Sequence, residues 1–239
     1  MRITISALTV PAVFGLISDI HAATIQVDQL GPNDLIITEY LANPVGVNDA
    51  DAEYFEIFNA RADTVDLSGL VVQDDGSNSF TVTALSIAPG SFAVLSNGDG
   101  SALGFTVDYI YGGSMSLTNT DDEISLLRPD AALVHKLVYT DGDFFGDGVA
   151  HELVAVGPET PIIVNGPAAG SDFLAASAPL LLSNFGSPGA AGNTLIDMPA
   201  VPLPPAAWLF ASGLALLVRV RRVLKRQPDT PCEPQPACA

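Results

Sequence analysis

At 239 residues the chain has room for one domain of ordinary size plus targeting segments. Apolar residues make up 48% and charged residues 15%, a balance that excludes a chain disordered throughout. The formal charge is −18, and between Ala23 and Val218 all but three of the 27 acids face only Arg61, Arg128 and Lys136, which excludes a phosphate backbone, so no nucleic-acid partner is expected.

Residues 1–23 read as a secretory signal peptide. Arg2 supplies the positive start, Ile3 to Ile17 is apolar or small, and Ile20-His21-Ala22-Ala23 supplies the cleavage region, with the cut after Ala22 or Ala23. The alternative is an uncleaved anchor, for which the apolar stretch is short.

From residue 31 to 196 short apolar runs alternate with turn signals. Strands are expected at Leu35–Leu41, Glu53–Asn59, Val65–Gln73, Phe80–Ile87, Phe92–Leu95, Val107–Ile110, Glu123–Leu127, Leu133–Tyr139 and His151–Val156. Asp74-Asp75-Gly76, Pro89-Gly90, Asn97-Gly98-Asp99-Gly100 and Arg128-Pro129-Asp130 separate them. No long stretch has helical periodicity, so the expected body is an all-β sandwich or barrel. Phe55 and Ile57 share one strand face and are expected in the core, with Glu56 pointing the other way. The body has no cysteine, since only Cys232 and Cys238 occur, so its stability must come from packing.

One acidic loop has the spacing of a cation site. Counted from Asp141, acids fall at positions 1 and 3, Gly146 at 6 and Glu152 at 12, which makes Asp141, Asp143, Asp147 and Glu152 candidate Ca²⁺ ligands. Phe145 at position 5 cannot ligate, and the preceding Leu137–Tyr139 reads as strand, so a solvated turn is the competing reading. Catalysis finds no support: there is no Gly-x-Ser-x-Gly, His-Glu-x-x-His or phosphate loop, and beyond the signal only His135 and His151 remain. No enzyme activity and no resident cofactor are expected.

The chain then runs 18 residues without a charge, Val201 to Val218, near the lower limit for a membrane-spanning helix. Trp208 suits a headgroup interface. Arg219, Arg221, Arg222, Lys225 and Arg226 follow and place that end in the cytoplasm and the body outside, the topology the signal peptide also requires. The Pro-rich residues 227–239 form an extension expected to be disordered.

Two resemblances sharpen this reading. Residues 33–194 resemble the lamin-tail domain, an immunoglobulin-like β-sandwich. The resemblance rests on Ile37-Thr38-Glu39-Tyr40-Leu41-Ala42-Asn43-Pro44, Glu53-Tyr54-Phe55-Glu56-Ile57-Phe58-Asn59 and Val65-Asp66-Leu67-Ser68-Gly69-Leu70, where Leu70 stands in place of the usual aromatic. Ile87-Ala88-Pro89-Gly90, Leu117–Ile124 and Ser187-Pro188-Gly189-Ala190-Ala191-Gly192-Asn193 continue it. It implies a fold and no particular activity. Residues 201–226 resemble the PEP-CTERM sorting signals of bacteria, on Val201, Pro202, Leu203, Pro204, Trp208, Leu209, Phe210 and the arginines Arg219, Arg221 and Arg222. This second resemblance implies recognition by an exosortase-type membrane peptidase. Together they imply an exported body held at the inner membrane by its C-terminal helix, facing the periplasm. After processing it would reach the cell surface or an exopolysaccharide matrix. A structural or adhesion module is the expected function, and a carbohydrate- or Ca²⁺-binding module of the same matrix is the alternative.

Overall fold

The computed structural model describes residues 23–140, 145–153, 155–156, 168–169, 172–192 and 195–196, and only the backbone of 155–156, 168–169 and 195–196. The expected signal peptide up to Ala22, the sorting motif and basic cluster, the extension 227–239, and Asp141 and Asp143 all lie outside these residues. Among the described residues no helix is long and apolar enough to cross a membrane.

The β-branched and aromatic runs form strands, as expected, and the turn-rich separators cut several of them shorter. In chain order they are β1 (Thr24–Gln26), β2 (Leu35–Leu41), β3 (Tyr54–Asn59), β4 (Thr64–Asp66), β5 (Val71–Gln73), β6 (Ser79–Thr81), β7 (Ser86–Ile87) and β8 (Phe92–Ser96). Then follow β9 (Tyr109–Ile110), β10 (Asp122–Leu127), β11 (Leu133–Tyr139), β12 (His151–Leu153), β13 (Ala155–Val156), β14 (Ala168–Ala169), β15 (Phe173–Ala175) and β16 (Leu195–Ile196). The run expected as one strand from Val65 to Gln73 is two. Gly69, at φ +93°, turns the chain so that β4 and β5 enter different sheets. A short α-helix, α1 (Asp49–Ala52), interrupts the β2–β3 connection.

A six-stranded sheet in the order β15-β12-β2-β3-β8-β9 faces a five-stranded sheet in the order β14-β11-β10-β5-β6. A three-stranded sheet, β1-β4-β7, and a two-stranded one, β13-β16, make up the rest. Leu35, Ile37, Phe55, Ile57 and Leu95 from the larger sheet meet Val72, Ile124, Leu126 and Leu137 from the smaller one in one core. This is sheet-on-sheet sandwich packing. Tyr40 of β2 stacks on Tyr139 of β11 across the layers, with ring centroids 4.6 Å apart. Leu70, standing where the lamin-tail pattern has an aromatic, is fully buried in that core. Val27 and Leu30 are buried in it too, so the body starts ahead of the boundary expected at residue 31.

The outer face of the six-stranded sheet is covered as well. Leu41, Tyr54 and Val94 there pack with Ala52, Leu103, Ala150 and Ala176 in a second apolar cluster. Every residue of β2 and of β3 is therefore buried. Strict alternation leads one to expect a solvated outer face, and that expectation fails here.

Candidate functional site

A bulge in β2 sets up the polar site on this covered face. Ile37 pairs with Ile57, and Glu39 pairs with Glu56, so Thr38 is the extra residue. Ile57 and Glu56 are neighbours in β3 and point to opposite faces. Ile37 and Glu39 therefore also point to opposite faces, although they are two apart. The backbone N–H of Ile37 donates to His135 Nδ1 from the facing sheet at 3.3 Å. Burial holds the His135 pKa down at about 4, so the ring is neutral.

The consequence is a row of three carboxyl groups. Glu152 of β12 pairs with Glu39 of β2, which pairs with Glu56 of β3. They are only 2%, 1% and 1% exposed. Like charges directly opposite one another on neighbouring strands repel, and buried charges need partners.

The partners come from a strap, residues 186–192, laid across the row. Ser187 donates its backbone N–H to Glu39 Oε1 at 2.9 Å and its hydroxyl to Glu39 Oε2 at 2.6 Å. The same hydroxyl lies 3.0 Å from Glu152 Oε1, and the Gly189 N–H donates to Glu56 Oε2 at 2.7 Å. From the sheet, Thr38 Oγ1 donates to Glu56 Oε1 at 2.6 Å and the Tyr54 hydroxyl donates to Glu39. Two glycines allow the close approach. A Cβ on Gly186 would fall 2.2 Å from Tyr54 Oη, and one on Gly192 would fall 2.3 Å from Glu152 Cδ. Desolvation dominates the electrostatics. It pushes Glu39 up to about 7 against the opposing pull of its Ser187 and Tyr54 hydrogen bonds. Glu56 is pushed up to about 8 by burial and then by the neighbouring Glu39.

Glu53, just before β3, does the same for another loop. Its Oε2 accepts from Asn97 Nδ2 at 2.5 Å and from the Leu117 N–H at 3.0 Å. Burial raises its pKa to about 7, with Asp49 adding to the effect. Outside the strap runs an open groove of about 780 Å³, lined by Phe92, Phe105, Thr106, Asp108, Leu180 and Pro188 among others.

The expected Ca²⁺ ligands divide. Asp147 accepts from Asn43 Nδ2 at 2.9 Å, whereas Glu152 is bonded by Ser187 within the buried row. Among the described residues no group of three or more His, Cys, Asp or Glu side chains is arranged to hold a metal ion. His151 is not a free base, because its Nε2 accepts the Phe145 N–H at 3.3 Å and its ring stacks on Tyr40 at 4.4 Å. The glutamate row itself escaped the sequence reading. One signal was present: Glu56 shares its face with Tyr54 and Phe58, and two aromatics flanking an acid at i±2 mark a face that is not solvated.

The described body is an all-β sandwich. The lamin tail domain family matches residues 29–141, which carry Glu39, Glu53 and Glu56 and stop short of Glu152 and the strap. A comparison with the curated proteins finds no match.

Proposed function

We infer that the protein is a non-enzymatic, exported structural module of the cell surface or extracellular matrix. In this reading the signal peptide exports it. The tail 201–226 holds it at the inner membrane until an exosortase-type peptidase recognises Val201-Pro202-Leu203-Pro204 and Trp208-Leu209-Phe210. One observation in the body carries the structural part. The buried acids are closed over by the chain's own residues rather than aimed into the groove. Polar groups spent on holding loops suit a rigid displayed body better than a reaction centre. Cell fractionation of the full chain, with and without the peptidase, tests the reading. Loss of the peptidase should retain the protein in the inner membrane at its unprocessed mass. Unchanged location and mass would remove the sorting half of the proposal. Turnover of a substrate that depends on Glu39 or Glu56 would remove the structural half.

A further inference from the structure

The groove outside the strap takes its described lining from Phe92 of β8, from the loop at 104–108, and from the strap with the residues leading into it. Two of its rings are held from behind. Phe92 packs on Phe58 with ring centroids 5.0 Å apart, and Phe105 on Tyr54 at 4.9 Å. Both are half-buried, so each is fixed in place and keeps part of its ring accessible. Pro188 adds a third rigid apolar surface.

The hydrogen-bonding groups of the groove are one-sided. The backbone N–H groups of Phe105, Asp108, Leu180, Gly186, Ser187 and Gly189 all donate within the chain. Asp108 accepts the Val94 N–H through Oδ2 at 2.8 Å, and its Oδ1 is open at an exposed position. The exposed Thr106 hydroxyl can donate or accept. No Lys, Arg or His is among the described lining residues. Arg61, Arg128 and Lys136 are each engaged with carboxylates elsewhere. An anionic sugar chain would find no cation to pair with, and an extended peptide would find those N–H groups already bonded. What fits is a positively charged ligand, rich in donors, with C–H faces that can lie on rings.

We propose that this groove binds a glycan bearing free amines, with Asp108 taking an ammonium group and Phe92, Phe105 and Pro188 taking the C–H faces of the sugar rings. An ammonium near Phe92 or Phe105 is also drawn to the negative face of the ring. The excess of acids over cations concentrates a polycation at the surface of the body before it docks. The site belongs to the body alone, so it stands or falls separately from processing of the tail.

Calorimetric titration of the full chain in detergent micelles tests the site with three probes of equal length: a glucosamine oligomer, its N-acetylated form and an oligouronate. The amine form should bind, with an affinity that falls as NaCl rises. The acetylated form should bind about tenfold more weakly, the worth of one charge-assisted hydrogen bond, and the uronate should not bind. Asp108→Asn should bring the two glucosamine forms level. Asp28→Asn, the same charge change at an exposed residue outside the groove, should leave both affinities unchanged. Phe105→Leu keeps an apolar contact on Tyr54, removes the ring face, and should weaken both forms. Phe92→Leu is the second reading if that variant does not fold. Absence of binding overturns the proposal, as does equal affinity for the amine and acetylated forms. So does an Asp28→Asn loss as large as that of Asp108→Asn, which marks a diffuse attraction, or a lysine peptide of the same charge that binds as tightly.

Discussion

Asn184 shows how one side chain can hold a surface feature that its neighbours resist. Leu182 and Ser183 both take positive φ, +55° and +64°, a region L residues avoid without support. Asn184, fully buried, supplies it: Oδ1 accepts the Val45 N–H at 2.8 Å, and Nδ2 donates to the Val45 and Leu181 carbonyls at 3.0 Å each. Asn184→Ala leaves those backbone groups unpaired and should lower stability by about 2–3 kcal/mol. Chemical denaturation would show it as a lower midpoint with an unchanged slope. Gly192→Ala is a second test at this scale. Its Cβ would collide with the Glu152 carboxyl, and a buried clash costs about 1–3 kcal/mol. Gly189→Ala meets no neighbouring atom, and its penalty comes only from φ +85°.

At the scale of the element, β2 shows what a single inserted residue decides. Without the bulge at Thr38, Ile37 and Glu39 would share a face, since side chains alternate with period two. Either an acid would enter the core or an apolar residue would leave it. Deleting Thr38 makes Ile37 and Glu39 direct neighbours, which regular alternation still sends to opposite faces, so the body should stay folded with dispersed amide signals, whereas inserting one residue between Glu39 and Tyr40 breaks the pairing and should cost the folded body. Thr38→Ala keeps the bulge and loses one hydrogen bond to Glu56, a cost of about 1 kcal/mol. The contrast between insertion and substitution separates register from contact. Alternation in β3 was legible in the sequence, and Phe55 and Ile57 do face the core with Glu56 opposite. The burial of Glu56 was hinted at only by Tyr54 and Phe58 on its face, because its cover comes from residues more than a hundred positions further along the chain.

For the whole molecule, the three raised glutamates set the pH dependence of stability. Their folded pKa values, about 7 for Glu39 and Glu53 and about 8 for Glu56, stand above the unfolded value of 4.5. Between those limits the folded state binds more protons than the unfolded one. Stability is thus fully present below about pH 4.5 as far as these groups are concerned. It declines as pH rises through 7 and 8, by up to about 1.4 kcal/mol per unit for each group in its window. Thermal melts should show a higher Tm at pH 5.5 than at pH 8.5. The excess of acids over cations adds repulsion in the same direction, so added NaCl should raise Tm at pH 8.5 more than at pH 5.5.

By itself the sequence determined the class of the body and most of its strands. β-branched runs between glycine, proline and aspartate turns encode local geometry, and local geometry needs no distant partner. It also set the acidic charge and the order of the motifs that resemble the lamin-tail pattern. Only the tertiary structure decided that β4 and β5 part into different sheets and that both faces of the larger sheet are covered. It alone decided that Glu39, Glu56 and Glu152 meet under the Ser187–Gly192 strap. Those outcomes depend on which strands lie side by side and on one bulge that reverses a register. Neither leaves a periodicity in the chain, because the residues involved are close in space and far apart in sequence.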